Sequence, residues 1–229
     1  PIVRYSSIAI QLENRNHSFD KISYGIKRFI MGLSKKVLLA NTLGEFCSTY
    51  TSGDEKSLIF TWVYVVAYML QIYFDFSGYS DMAIGLGKMF GFSFEENFNY
   101  PYISASVTEF WRRWHISLST WFRDYVYIPI GGNRHGVMRT YFNNLLTMAL
   151  AGLWHGSTLM FVFWGLIHGL GLVVHKSLKE LLDMIPDKWP VRFVCWLLTF
   201  CYVAATWTYF RSPNVETCGD IFVRIATDF

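Results

Sequence analysis

Two histidines lie in surroundings that are unusual for an apolar chain. His155 ends the stretch AGLWH, in which the small residues Ala151 and Gly152 allow a neighbouring helix to approach closely. His115 lies in FWRRWHISLSTWFRDY, residues 110–125, among charged and aromatic side chains. A neutral imidazole can take a proton from a hydroxyl near physiological pH and return it, and a histidine at membrane depth is a functional candidate. Because a histidine bonded across helices as a structural link has similar surroundings, the residues alone leave both interpretations open.

Five charged residues flank His115 in the sequence. They are Glu109, Arg112, Arg113, Arg123 and Asp124. The pattern predicts one helix over residues 106–127, and five charges at the bilayer centre would cost about 12–18 kcal/mol, so this helix does not face lipid. Either it is an amphipathic interfacial helix with snorkelling arginines and belt tryptophans, or it lines a polar cavity that admits an anionic substrate.

The stretch FDFSGYSDMAIG, residues 74–85, places two carboxylates beside apolar sequence. It predicts a turn at residues 77–80, followed by a helix that Asp81 opens, where a carboxylate caps the chain and complements the helix dipole. Asp75 ends an apolar segment and needs a cationic partner. For this partner we expect an arginine of the 112–123 segment.

The remaining histidines and cysteines give no indication of a metal centre. His168 and His175 are two helical turns apart, roughly 10.5 Å along the axis, which is too far to share one metal ion. We expect His168 to be structural, beside the close-packing pattern Gly165-x-x-x-Gly169, and His175 to lie at the membrane interface. The cysteines have no C-x-x-C spacing, and the sequence contains no nucleotide-binding or hydrolase motif.

The elements that must position these residues are those of a membrane protein. Of 229 residues, 52% are hydrophobic and only 16% are charged. Residues 58–76, 157–175 and 191–210 are long and apolar enough to cross a bilayer, and residues 141–155 form a shorter fourth candidate. The pattern of residues 21–46 predicts a charged helix that is interfacial or packed against protein. The net charge of +3, without a long basic run, gives no indication of nucleic-acid binding.

These features predict an all-α, polytopic helical membrane protein. No internal repeat or long linker divides the chain, so we treat residues 1–229 as a single domain. The sequence begins at Pro1 without a signal-peptide pattern, and we expect it to be a segment of a longer polytopic protein.

Six stretches of the sequence resemble the membrane-bound O-acyltransferases, in particular their alginate O-acetyltransferase branch. They are PIVRY at 1–5, YFDFSGYSDMAIG at 73–85, NFNYPY at 97–102, FWRRWHISLSTWFRDYVYIPIGGNR at 110–134, GLWHG at 152–156 and WGLIHG at 164–169. The resemblance implies helices around a central tunnel, some of them re-entrant or interfacial. It also implies that N- and C-terminal helices of the full-length fold are missing from this segment.

The activity that the resemblance implies is acyl transfer from a cytoplasmic thioester, acetyl-CoA, to hydroxyls of an extracytoplasmic polysaccharide such as alginate or peptidoglycan. It assigns the general base to His155, while His115 orients the donor or the acceptor or shares the proton relay. Three arginines are candidates to hold an anionic donor group or to stabilise the tunnel wall, namely Arg112, Arg113 and Arg123. Asp75 is a further candidate substrate-binding or donor-binding residue. We expect no bound cofactor and no metal.

The resemblance also implies a location and a partner. Its members are multi-pass proteins of the bacterial inner (plasma) membrane, and the polysaccharide-modifying branch works with an extracytoplasmic hydrolase-like partner. The D-alanyl transferases of teichoic acid modification share the tryptophan–histidine and WFRDY core, but the continuation YIPIGGNR at 127–134 favours the acetyl-transferring branch. A transporter or channel would use buried histidine and arginine to coordinate a permeating ion, and the family-like stretches argue against it.

Overall fold

The computed structural model describes residues 2–53, 56–186 and 188–227, so Pro1 of the first family-like stretch lies outside the described residues. All regular structure in these ranges is helical, which confirms the predicted all-α fold. The α-helices are α1 (Tyr5–Glu13), α2 (Phe19–Ser34), α3 (Asn41–Ser52), α4 (Leu58–Met89), α5 (Val107–Arg113), α6 (Ile116–Phe122), α7 (Val137–His155), α8 (Leu159–Ser177), α9 (Lys179–Asp183), α10 (Trp189–Arg211) and α11 (Val215–Thr227).

The chain forms two compact units. The first consists of the described residues up to 99 together with residues 115–118, and the second of residues 100–114 together with the described residues from 119 onward. Within the described residues, three helices are long and apolar enough to cross a membrane, namely α4, α8 and α10, and they coincide with the three predicted spans. The shorter candidate at 141–155 lies in α7, which is not among them because Arg139, Asn143 and Asn144 make it more polar.

In the first unit, α2 and α4 run antiparallel and touch backbone to backbone. A Cβ atom on Gly32 would lie 2.5 Å from the carbonyl oxygen of Gly78, and one on Gly25 would lie 2.5 Å from that of Gly85. Any side chain at these positions would collide with the opposite backbone, so glycine is required at both contacts. Gly32, near the end of α2, meets Gly78, and Gly25, earlier in α2, meets Gly85. These two contacts make the helices antiparallel and fix their register.

Charged residues of the predicted 21–46 helix pair with α4, as expected for a segment packed against protein. Arg28 and Lys35 each place a nitrogen 2.6 Å from a carboxylate oxygen of Asp81, and Lys36 forms an ion pair with Asp75. The prediction that Asp81 opens a helix is wrong, because α4 continues through the expected turn and buries Asp81 within it. The cation beside Asp75 is a lysine and not the expected arginine, because the π-helical segment Lys35–Ala40 that follows α2 lies against α4.

In the second unit, α7 and α8 form an antiparallel hairpin with equally close backbones. A Cβ atom on Gly152 would lie 2.1 Å from the carbonyl oxygen of Phe161, and one on Gly165 would lie 2.1 Å from that of Met148. This contact leaves no room for the two helices to slide or roll. It therefore fixes the position of His155, the last residue of α7.

The predicted helix over residues 106–127 is interrupted in the structure. α5 ends before His115, α6 begins after it, and a π-helical turn spans Arg123–Tyr127. His115 has a φ of +44°, in the left-handed region that costs a non-glycine residue roughly 1–2 kcal/mol. The amide of Ile116 donates to the carbonyl of Asn97 at 2.9 Å and not to a carbonyl of its own helix. A contact with a distant loop thus overrides the local helical pattern.

Candidate active site

His115 belongs to the first unit, where it is buried beside Asn97. The residue is 5% exposed, and its Nδ1 lies 3.2 Å from Oδ1 of Asn97. The same oxygen accepts hydrogen bonds from the backbone N–H and the hydroxyl of Ser117, at 3.1 and 2.8 Å. The ring of Phe76 packs nearly perpendicular to the imidazole, with centroids 4.6 Å apart. Polar and aromatic contacts together hold the imidazole in one orientation.

Asn97 is a candidate site residue that the sequence alone did not indicate. It is 1% exposed, and its Nδ2 donates to the hydroxyl of Ser80 in α4 at 3.1 Å. The only signal in the sequence was its position at the start of the family-like stretch NFNYPY. An asparagine between two apolar segments is adequately explained as a turn residue, and its contacts with residues 115–117 join positions that are far apart along the chain.

His155 belongs to the second unit and lies among aromatic rings. The ring centroids of Trp164 and Phe210 are each 5.3 Å from that of the imidazole, with nearly perpendicular planes. Neither imidazole nitrogen forms a hydrogen bond with the part of the chain that the structure describes. Burial lowers the pKa of His155, which lies outside the three candidate spans, to about 4. The ring is therefore neutral at pH 7, as a general base must be.

His168 and His175 link α8 to α5. His168 is fully buried, and its Nδ1 accepts a hydrogen bond from the indole N–H of Trp111 at 3.3 Å. Nδ1 of His175 lies 3.0 Å from the hydroxyl of Thr108. Among the described residues, no three His, Cys, Asp or Glu side chains lie together as a metal ion would require. The contacts of His168 agree with the structural role predicted for it.

The three candidate arginines differ in how far their charge is already paired. Arg113 forms an ion pair with Glu109 at 2.9 Å, and Arg123 forms one with Asp124 at 2.7 Å. The hydrogen bond to Asp124 raises the pKa of the Arg123 guanidinium. Arg112 is exposed and forms no ion pair within the described ranges. Of the three, Arg112 therefore has the charge most available to an anionic ligand.

Three proteins with similar sequences have names that describe acyl transfer to cell-envelope polymers. The chain is 48% identical to the probable alginate O-acetylase AlgI of Pseudomonas fluorescens, in a match that covers 97% of this chain and 44% of that protein. It is 38% identical to the peptidoglycan O-acetyltransferase of Helicobacter pylori, over 95% of this chain and 42% of that protein. It is 31% identical to the teichoic acid D-alanyltransferase of Streptococcus thermophilus, over 76% of this chain and 45% of that protein.

The chain thus spans less than half the length of these relatives. A family model described as MBOAT, membrane-bound O-acyltransferase family, matches residues 1–212. This match includes both His115 and His155 and the three apolar helices, so the predicted membrane protein is confirmed. The chain belongs to the membrane-bound O-acyltransferase family.

Proposed function

We propose that the full-length protein is a membrane O-acyltransferase that moves an acetyl group from cytoplasmic acetyl-CoA toward hydroxyls of an extracytoplasmic polysaccharide. The observation that carries this proposal is His155, a neutral imidazole at the end of a fixed helix whose nitrogens are not engaged by the described residues. The names of two relatives, an alginate O-acetylase and a peptidoglycan O-acetyltransferase, support a polysaccharide acceptor. Because this chain spans less than half of those relatives, the activity is assigned to the complete protein.

In the proposed reaction His155 acts as the general base. The acceptor hydroxyl oxygen attacks the carbonyl carbon of the thioester while His155 takes the hydroxyl proton. The carbon–sulfur bond then breaks, and the leaving thiolate of CoA receives that proton from the imidazolium. An ester and a free thiol are formed, and the histidine is neutral again. General base catalysis of this kind contributes roughly 10²–10⁴-fold to a rate.

The aromatic neighbours of His155 support this role in two ways. Trp164 and Phe210 meet the imidazole edge to face and restrict its rotation, which preserves the geometry for proton transfer. They also shield the ring from water, so that the charged form is disfavoured and the proton passes on to the leaving thiolate.

Arg112 is the proposed contact for the anionic part of the donor. CoA carries phosphate groups, and a guanidinium binds phosphate through paired, charge-assisted hydrogen bonds. Arg113 and Arg123 are proposed to stabilise their own segments, because each is paired with an acidic neighbour. Asp75, which pairs with Lys36, is proposed to be structural and not to bind substrate.

The proposed location and partner are those that the family resemblance implies. We infer a multi-pass protein of the bacterial inner (plasma) membrane, which the three candidate spans support. Residues 1–229 would form part of a single membrane domain that N- and C-terminal helices complete. We also propose, from the family resemblance, an extracytoplasmic hydrolase-like partner that completes the transfer to the polysaccharide. No bound cofactor or metal is needed for this chemistry.

D-alanyl transfer is the second candidate function. The match to the teichoic acid D-alanyltransferase of Streptococcus thermophilus favours it, since 76% of this chain is covered. The chemistry would be the same, with a D-alanyl thioester in place of acetyl-CoA.

The experiment is transfer of labelled acetyl groups from acetyl-CoA by the full-length protein in membrane vesicles. His155→Ala is expected to lower the rate at least ~10²-fold without changing the unfolding temperature. His135→Ala, in an exposed loop, is the matched control and should leave the rate unchanged. Undiminished transfer by a folded His155→Ala protein would remove the assignment of the base. A D-alanyl carrier protein that works where acetyl-CoA fails would establish the second candidate.

A further inference from the structure

Two tryptophans of the second unit have a buried N–H group without a partner. Trp164 in α8 is 1% exposed, and Trp207 in α10 is 2% exposed. Neither indole N–H has a hydrogen-bond acceptor among the residues that the structure describes. An indole N–H can only donate, whatever the pH. Because a donor that is buried and unpaired destabilises a protein, each of these two groups calls for an explanation.

Other tryptophans of the same unit do have acceptors. The indole N–H of Trp196 donates to the carbonyl oxygen of Tyr102 at 2.9 Å, and that of Trp111 donates to Nδ1 of His168 at 3.3 Å. Indole N–H groups elsewhere in this unit are thus paired within the protein. The two unpaired groups therefore differ from their neighbours in the kind of partner that they need.

Both unpaired tryptophans belong to the aromatic cluster that contains His155. The rings of Trp164 and Trp207 are stacked, with centroids 5.8 Å apart. The ring of Trp164 is 5.3 Å from the imidazole of His155, with planes 88° apart. Phe210 contacts all three rings, at centroid distances of 5.3 to 5.4 Å. Two N–H donors therefore lie in the same group of packed rings as the proposed general base.

The partner that these donors need is an acceptor. A water molecule or a sugar hydroxyl could accept from them, but each also brings hydrogens that need acceptors of their own. A carbonyl oxygen accepts and has no hydrogen, so it is the closest chemical match to a group that only donates. The acyl donor acetyl-CoA has such an oxygen on the thioester carbon, and amide carbonyls follow it along the pantetheine arm.

We propose that Trp164 donates its indole N–H to the thioester carbonyl oxygen of the acyl donor, and that Trp207 donates to an amide carbonyl of the pantetheine arm. This inference rests on the proposed acyl transfer and adds a group that stabilises its transition state. The thioester is assigned to Trp164 because the ring of Trp164 contacts the imidazole of His155.

The hydrogen bond from Trp164 acts when the acceptor hydroxyl attacks. As the hydroxyl oxygen bonds to the carbonyl carbon, negative charge develops on the carbonyl oxygen, and it is lost again when the carbon–sulfur bond breaks. A fixed N–H donor in a site that excludes water stabilises this charge strongly. His155 takes the hydroxyl proton at the same time, so the base and the N–H donor serve opposite ends of one reacting group.

The test replaces single tryptophans of the full-length protein by benzothienylalanine, in which sulfur replaces the indole N–H with little change of shape. Trp164→benzothienylalanine should lower kcat about 10²-fold. Trp207→benzothienylalanine should raise the KM for acetyl-CoA about 3–10-fold. Both changes remove an unpaired buried donor, so the unfolding temperature of the protein without acetyl-CoA should stay the same or rise. Full transfer by the folded Trp164 variant would overturn the proposal.

Trp196→benzothienylalanine is the matched control. Its N–H is already paired with the carbonyl oxygen of Tyr102, so the replacement should lower the unfolding temperature and leave acetyl transfer unchanged. Structural and ligand-binding N–H groups thus give opposite results in the two measurements. Results for Trp164 that match those of Trp196 in both measurements would show that its N–H serves the fold and not the donor.

Infrared spectroscopy of the bound donor gives a readout that a packing role would not change. Full-length His155→Ala protein is expected to hold ¹³C-labelled acetyl-CoA with little transfer. The thioester carbonyl stretch should lie at lower frequency there than in the same protein with Trp164→benzothienylalanine, and equal frequencies would contradict the hydrogen bond. Should the Trp164 variant not fold, the His155→Ala protein decides alone, since a frequency equal to that in an apolar solvent would exclude a donor at this oxygen.

Two outcomes keep this inference distinct from the proposed function. If the wild-type full-length protein transfers no acyl group, the proposed function fails. If the wild type transfers and the folded Trp164 variant transfers equally well, only the role of the indole N–H fails.

Discussion

The indole N–H of Trp111 donates a hydrogen bond to Nδ1 of His168 over 3.3 Å, in a part of the second unit where His168 is fully buried. Trp111→Phe keeps an aromatic ring but leaves that nitrogen without a donor, and a buried unsatisfied polar atom costs about 1–3 kcal/mol. We expect a lower unfolding temperature in detergent, with unchanged activity per folded molecule. Trp189→Phe, at a residue that is 78% exposed, should have no effect. Equal stability of the two variants would contradict a structural role for this bond.

The close contact between α7 and α8 makes Gly152 intolerant of any side chain. A Cβ atom there would lie 2.1 Å from the carbonyl oxygen of Phe161, so Gly152→Ala forces the helices apart and should cost about 3 kcal/mol or more. Because the same contact positions His155, the acyl-transfer rate per folded molecule should fall as well. Gly219→Ala, in α11 with no atom within 4 Å of the added Cβ, is the control and should stabilise the protein by up to ~1 kcal/mol. Thermal unfolding and labelled acetyl transfer check both expectations.

The two aspartates of α4 should differ strongly in their contribution to stability. The Asp81 side chain is 6% exposed and pairs with two cations, so Asp81→Asn removes the carboxylate beside Lys35, leaves Arg28 paired with the more exposed Glu96, and should cost about 3–5 kcal/mol. The Asp75 side chain is 44% exposed and pairs with one lysine, so Asp75→Asn should cost about 0–1 kcal/mol. Unfolding in detergent at low and high salt measures both. Similar losses for the two variants would show that burial does not govern these pairs.

The pH dependence of transfer should reflect the lowered pKa of His155. Burial moves that pKa from 6.5 to about 4, so the neutral base is present at every pH well above 4 and is lost only as the pH falls through that value. Initial rates of the full-length protein are therefore expected to stay level from pH 7.5 down to about pH 5.5 if His155 limits the rate. A decline centred near pH 6.5, at constant folded fraction, would show that the base is accessible to water.

Much of the fold follows from local composition, because a long segment without charges has few alternatives to spanning a bilayer. This is why the predicted spans coincide with α4, α8 and α10. Local sequence patterns predicted the wrong structure where contacts between residues far apart in the sequence determine the backbone conformation. The residues Ser-Gly-Tyr-Ser predicted a turn, yet α4 continues through them because Gly78 packs against Gly32 and Asp81 finds its cations across the helix pair.

The residues of the candidate site were likewise only partly predictable from local sequence patterns. His155 stood out because small residues precede it and because its stretch resembles the family's, whereas Asn97 had no chemical signature of its own. Its importance depends on the packing of residue 97 against residues 115–117, which helical periodicity does not contain. The break at His115 was missed for a related reason, since a single left-handed residue leaves the pattern of apolar positions on both sides intact.

The paired glycines and ion pairs of the first unit have a consequence for assembly in the bilayer. The glycines set the register in which α2 and α4 meet, and this register brings Arg28 and Lys35 to Asp81. A slip by one turn, about 5.4 Å, would leave the carboxylate of Asp81 in an apolar environment without its cations. The ion pairs thus disfavour every alignment of α2 and α4 other than the one that the glycine contacts allow.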